Sequence, residues 1–210
     1  MPRIKLAVAV LLSALALAAC SQNKGGGGGA SSGAALPDDM SLGAPGAKVT
    51  VVEYASVGCP VCDRWQMEVW PAFRAKYVDT GRVHYVFREM LVGGGPEITV
   101  ASAGFLLARC AGKDKYFPVV DAIFKNQQQA FADPRGTLLG IAKSMGMTED
   151  QFNKCVSDEK AAQALNDRVE RNAKENHVDS TPTFVVNGNM LTPGYHTLQE
   201  LDAAIAAAGG

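Results

Sequence analysis

The stretch VTVVEYASVGCPVCDRW, residues 49–65, decides how the rest of the chain is read. Val49 to Tyr54 is rich in β-branched residues and is bounded by Gly46 before and Gly58 after, which predicts a short buried strand. The tetrapeptide Cys59-Pro60-Val61-Cys62 follows. Pro60 suits the first position of a helix, where its missing N–H would have had no partner anyway. Trp65, Val69, Phe73 and Tyr77 then recur every four residues, an apolar stripe that predicts one helix running to about Val78. Gly81 ends it, and Arg82 to Arg88 predicts a second strand. Strand, helix, strand is a βαβ unit with a parallel pair.

From Pro96 to His177 the pattern is helical. Ala103, Leu106 and Cys110 share one face, Phe117, Val120 and Phe124 another, and Leu138, Leu139 and Ala142 mark a third short segment. Thr148 with Gln151 is a capping-box pattern ahead of Phe152, Cys155 and Val156, and Ala161, Leu165, Val169 and Ala173 stripe a last long helix. Strands resume at Thr183 to Asn187, where Asn187-Gly188 signals a tight hairpin with a partner around Met190 to Thr192. Thr197 with Glu200 opens a terminal helix carrying Leu198, Leu201 and Ile205. The fold class is therefore α/β, a central mixed sheet flanked by helices with an inserted all-helical domain at about residues 96–177.

The 210 residues are 47% hydrophobic and 20% charged, with a formal net charge of -1, which excludes collagen, coiled coil and a basic nucleic-acid-binding tail. Ahead of the strand, Arg3 and Lys5 precede the apolar run Leu6 to Ala19, too short to span a bilayer and of signal-peptide length. Its ending, Leu17-Ala18-Ala19-Cys20, resembles the lipobox of bacterial lipoproteins. That resemblance implies a signal peptide at 1–19, lipid on Cys20, and a cell-envelope protein facing the periplasm or the exterior. Residues 20–47, with Gly25 to Gly29 in one run, predict a lipid-anchored glycine-rich linker, and the folded domain is expected at 48–208. Export permits disulfides. Setting Cys20 aside leaves four cysteines, Cys59, Cys62, Cys110 and Cys155, which fall into two pairs.

Two cysteines separated by two residues at a helix start can close a small disulfide ring. The first sulfur sits by unpaired N–H groups at the positive end of the helix dipole, which lowers a thiol pKa. Cys59 is the candidate nucleophile and Cys62 the resolving thiol, exchanging their disulfide with substrate thiols. No cofactor beyond that disulfide and no metal are expected. The competing readings are an inert disulfide and half of a zinc site, although Cys110 and Cys155, 45 residues apart, do not form a second tight knuckle. Cys110–Cys155 is expected to be a structural disulfide within the insertion, a second redox centre being the alternative.

The strand ending in Glu53, CPVC six residues on, the helical insertion, Thr181-Pro182 entering a strand and the Asn-Gly hairpin together resemble the DsbA-type branch of thioredoxin-fold thiol-disulfide oxidoreductases. ARC at 108–110 and FNKC at 152–155 resemble members with a second disulfide. The resemblance implies a cis Pro182 facing the redox disulfide and binding the substrate chain with Thr181, and a buried Glu53 that assists proton transfer at Cys62. It implies an oxidase of cysteine pairs in exported proteins, reoxidised by a membrane quinone-linked partner. A reductase or isomerase, or a metal-handling or peptide-binding lipoprotein, are the alternatives. Pro60-Val61 departs from strongly oxidising relatives, which carry a histidine between the cysteines. His84, His177 and His196 are scattered and read as surface or core residues. Without a dimerisation segment, a monomer is expected.

Overall fold

The computed structural model describes residues 33–175 and 177–210. The expected signal peptide and Cys20 lie outside them. The sheet has the strand order β1-β3-β2-β4-β5, with β1 Met40–Gly43, β2 Val49–Ala55, β3 Val83–Glu89, β4 Thr183–Val186 and β5 Asn189–Met190. β2 is the centre: it runs parallel to β3, with Glu53 opposite Phe87, and antiparallel to β4, with Glu53 opposite Phe184. Val49, Val51, Val52, Tyr54 and Ala55 are fully buried, each valine worth about 1.5–3 kcal/mol of burial, so the strand that delivers the chain to CPVC is anchored from both faces.

The βαβ expectation holds, but its helix is not continuous. α1 Pro60–Glu68 stops short of Pro71, which cannot donate to the carbonyl four residues back; α2 Trp70–Phe73 and a π-helical turn Arg74–Val78 carry the chain on. Trp65, Val69, Phe73 and Tyr77 still share one buried core across the break.

The insertion comprises α3 Pro96–Cys110, α4 Lys113–Lys125, α5 Gln127–Ala132, α6 Pro134–Ser144, α7 Glu149–Val156 and α8 Glu159–Glu175, and α9 Leu198–Ala207 closes the chain. Both capping boxes form, Thr148 with Gln151 and Thr197 with Glu200. The Asn187-Gly188 hairpin also forms, both residues adopting positive φ (46° and 84°) as a tight two-residue turn requires. The buried carboxylate of Glu89, at the end of β3, ties the insertion to the sheet. It accepts from Arg109 of α3 (2.6 Å), Arg168 of α8 (2.9 Å) and Tyr116 of α4 (3.0 Å).

The linker expectation at 20–47 needs correction. Met40–Gly43 is an antiparallel strand on β3, with Met40 opposite Phe87, and Met40 is buried in the core. Just before it, Asp39 pairs with the fully buried Arg88 at 3.1 Å, and Arg88 also donates to the carbonyl of Ala34 at 2.8 Å. An edge strand of four residues among Gly, Ala and Pro carries too little apolar periodicity to announce itself, whereas β3 offers it a full row of backbone partners.

Candidate active site

Cys59 is the N-cap of α1, in extended conformation (φ −91°, ψ 120°), and its sulfur accepts the N–H of Cys62 at 3.4 Å. The approach to it is fixed by backbone. The Gly58 N–H donates to Ser56 Oγ at 3.2 Å and the Cys59 N–H to the Ser56 carbonyl at 3.0 Å. Gly58 lies so close to the insertion that a Cβ there would stand 2.1 Å from the carbonyl oxygen of Glu97, in the first turn of α3. On the other side Gln127, buried at the start of α5, donates from Nε2 to the carbonyls of Val57 (3.0 Å) and Cys59 (3.1 Å).

Both cysteines are thiols in this structure, Cys59 7% exposed and Cys62 not at all. The Cys59 Sγ–H donates to the carbonyl of Thr181 at 3.5 Å, and the Thr181–Pro182 peptide bond is cis. The Thr181 hydroxyl is buried and has no other partner among the described residues, so it is free to donate to the sulfur once the thiol proton leaves. The Cys59 pKa falls to about 6. A hydrogen bond from the Cys62 thiol contributes most, burial opposes it, and the Thr181 hydroxyl and the N–H groups of Cys62 and Val61 add to the lowering. Pro60-Val61 brings no charge, and the thiolate is instead stabilised by donors from the helix start and from the Thr181 loop. Burial pushes the Cys62 thiol well above the ordinary range, helped by its donation to Cys59 and by the charges of Cys59 and Glu53.

Glu53 is buried on the inner face of β2 and receives the hydroxyl of Tyr85 from β3. Burial raises its pKa to about 8, the Tyr85 hydrogen bond opposing and the Cys59 charge reinforcing the rise, so the carboxyl is protonated at neutral pH. The structure thus brings together Cys59, Cys62 and Glu53, from one strand-to-helix passage, with Thr181 and Pro182, more than a hundred residues on. Sequence reasoning missed Tyr85 and Gln127. Tyr85 was reachable through the alternation of β3; nothing in Gln127-Gln128-Gln129 distinguishes the glutamine that turns inward. Val61, at the apex of the tetrapeptide, is 40% exposed, and Ile98, next to Glu97, is 39% exposed.

Cys110–Cys155 is formed, with Cα atoms 5.8 Å apart, joining the end of α3 to α7. Those sulfurs therefore cannot complete a metal site with CPVC, and no group of three or more His, Cys, Asp or Glu side chains placed to hold a metal occurs among the described residues. His84 is buried in β3, His196 packs on Phe184 and bonds the Thr192 carbonyl, and His177 is exposed.

A family model described as Thioredoxin matches residues 35–207. The chain belongs to the thioredoxin family. The match begins ahead of β1, in agreement with the corrected domain start. Among relatives of this thioredoxin-family chain, a Rickettsia bellii protein named as a protein-disulfide oxidoreductase is 33% identical over 171 residues, which are 80% of this chain and 63% of that protein. A Bacillus cereus protein named for disulfide bond formation is 27% identical, over 76% of this chain and 75% of that one. The chain spans 55% to 63% of the length of the Rickettsia relatives. Among solved structures, Wolbachia pipientis alpha-DsbA1 superposes with a TM-score of 0.73 at 25% identity, covering 83% of this chain and 93% of that one. A thioredoxin-like oxidoreductase from Silicibacter pomeroyi gives 0.65 at 26%, over 86% and 97%. The helical insertion is thus the DsbA-type elaboration of the thioredoxin fold.

Proposed function

We propose that this domain is a protein thiol-disulfide oxidoreductase that works as a disulfide-forming oxidase on exported proteins. The observation that carries the reading is the division of labour within CPVC: Cys59 titrates at about 6, while Cys62 is buried and held protonated. A stabilised thiolate favours the reduced pair, which makes the oxidised pair a disulfide donor.

In the oxidised enzyme a substrate thiolate attacks Cys59 Sγ, the Cys59–Cys62 bond breaks, and Cys62 leaves as a thiolate. Burial makes that anion costly, and the protonated carboxyl of Glu53 is positioned to supply its proton. The second substrate thiolate then attacks the substrate sulfur of the mixed disulfide. Cys59 departs as a thiolate, the better leaving group because its pKa is low. Two electrons pass from substrate to enzyme. The Thr181 carbonyl, which here accepts from Cys59, and the edge of the Thr181-Pro182 loop offer backbone partners to the substrate chain.

A quinone-linked membrane protein is the proposed electron acceptor, on the strength of the DsbA-type resemblance, and a lipid on Cys20 the proposed tether to the envelope, on the strength of the lipobox-like ending. The test is equilibration with glutathione, with thiols counted by mass, alongside oxidation of a reduced, unfolded two-cysteine protein. A potential toward the oxidising end, on the order of −120 mV, with activity abolished by Cys59→Ser, is expected; a value near about −270 mV makes the domain a reductase and overturns the proposal.

A further inference from the structure

The Cys110–Cys155 disulfide lies outside the machinery above and is open from one side. Cys110, the last residue of α3, is exposed, whereas Cys155 in α7 is 5% exposed. Two clefts flank the bond, and both cysteines line each of them. One, of about 410 Å3, is walled by Leu106, Arg109, Lys154, Asp158 and Arg168; the other, of about 420 Å3, by Lys115, Met147, Gln151 and Lys154. These volumes suit a small ligand and not a folded protein segment.

The clefts are basic. Arg109 and Arg168 are engaged by Glu89, Lys115 donates to the Met145 carbonyl at 2.7 Å, and Asp158 caps α8 through the N–H groups of Lys160 and Ala161. Lys154 borders both clefts, is next to Cys155 in the chain, and forms no ion pair among the described residues. An anionic thiolate arriving at Cys110 would thus meet an uncommitted ammonium, and the same charge would stabilise the sulfur that leaves.

We propose that Cys110–Cys155 is a second thiol-exchange site, taking a small carboxylate-bearing thiol of the glutathione type. The thiolate attacks Cys110 Sγ, the Cys110–Cys155 bond breaks, and Cys155 leaves as a thiolate beside Lys154 and is protonated by water. A second thiolate attacks the small-molecule sulfur of the mixed disulfide, releasing Cys110. Two small thiols are oxidised to one disulfide, and the protein pair is reduced by two electrons.

The proposal stands independently of the reaction at CPVC and is tested without it, in the full chain carrying Cys20→Ser, Cys59→Ser and Cys62→Ser. Reduced glutathione and the cationic thiol cysteamine are compared at equal thiolate concentration, with adducts trapped and mapped by mass. The expected result is a mixed disulfide on Cys110, formed about fivefold or more faster with glutathione, and a preference cut about fivefold by Lys154→Glu, the scale of one charge at close range in a partly wet cleft. Equal rates for the two thiols, an adduct on Cys155, or no adduct would overturn it. Should the triple variant fold poorly, the same peptide mapping on the unsubstituted chain separates these outcomes, since adducts on Cys110 and Cys155 lie on peptides distinct from the one that carries CPVC.

Discussion

Shifting the pH across the Cys59 titration changes how strongly the CPVC pair draws electrons, and the size of the change follows from the site. Below about pH 6 the reduced pair and reduced glutathione each hold two protons per pair of thiols, so the equilibrium between them does not depend on pH. Above it Cys59 releases its proton while Cys62, buried and raised, keeps its own. Each further pH unit then favours the reduced domain tenfold, about 1.4 kcal/mol or ~30 mV for a two-electron couple. Between about pH 5 and pH 7.5 the equilibrium constant should rise about 30-fold, on the order of 2 kcal/mol or ~45 mV. The assay is redox equilibration with glutathione at half-unit pH steps, quenched by acid and read by mass, with the pH dependence of Cys59 alkylation as an independent measure of the midpoint. A flat profile across this window, or an alkylation midpoint in the ordinary thiol range near about 8.5, would refute the idea that helix-start and Thr181 donors hold Cys59 as a thiolate.

Glu53→Gln should stabilise the fold. The native carboxyl titrates at about 8 against a reference of 4.5, so its protonated form is favoured by folding; that contribution is full below about 4.5 and is lost as the pH rises toward 8. Glutamine does not titrate, so the variant should gain on the order of 3 kcal/mol near pH 7 and nothing at about pH 4, checked by denaturant unfolding at both, while formation of the mixed disulfide, in which Cys62 must be protonated as it leaves, slows. Gln127→Ala removes the donor from two buried carbonyls beside Cys59 and should cost about 2 kcal/mol, seen as a lowered Tm; an unchanged Tm would show that water replaces the amide. Asp39→Ala takes the carboxylate from the buried Arg88 and should cost about 3 kcal/mol, so protein that begins at Lys48 should be destabilised by more than this single change.

What could be read in advance was local. Pro60 at the first helical position, the apolar stripe from Trp65 to Tyr77, two capping boxes and the Asn187-Gly188 turn each encode their conformation within a few residues. Cys59 and Cys62 were legible for the same reason, being fixed to one strand-to-helix passage, and Glu53 and Thr181-Pro182 through the resemblance. Contacts distant along the chain were not. Met40–Gly43 becomes a strand only because β3 has a free edge, Gln127 reaches CPVC across 68 residues, and Arg88 meets Asp39 across 49. The break at Pro71 was visible in principle, but a four-residue repeat that continues on both sides of a proline reads as one unbroken helix.

The close packing of Gly58 on the Glu97 carbonyl has a consequence for how such a chain can diversify. At this point the approach to the redox tetrapeptide meets the insertion main chain against main chain, so the side chain of Glu97 is free to change without disturbing the contact, whereas the Gln127 amide crosses the seam on the other side. A different helical insertion grafted onto this frame would need position 58 to stay a glycine, a donor in place of Gln127 and partners for the Glu89 carboxylate. Any side chain there would act as a wedge, prising the cysteine loop from its support. The seam thus places its strictest steric demand on one glycine, while the exposed side chains of Val61 and Ile98 near the reactive sulfur stay open to reshaping for new clients.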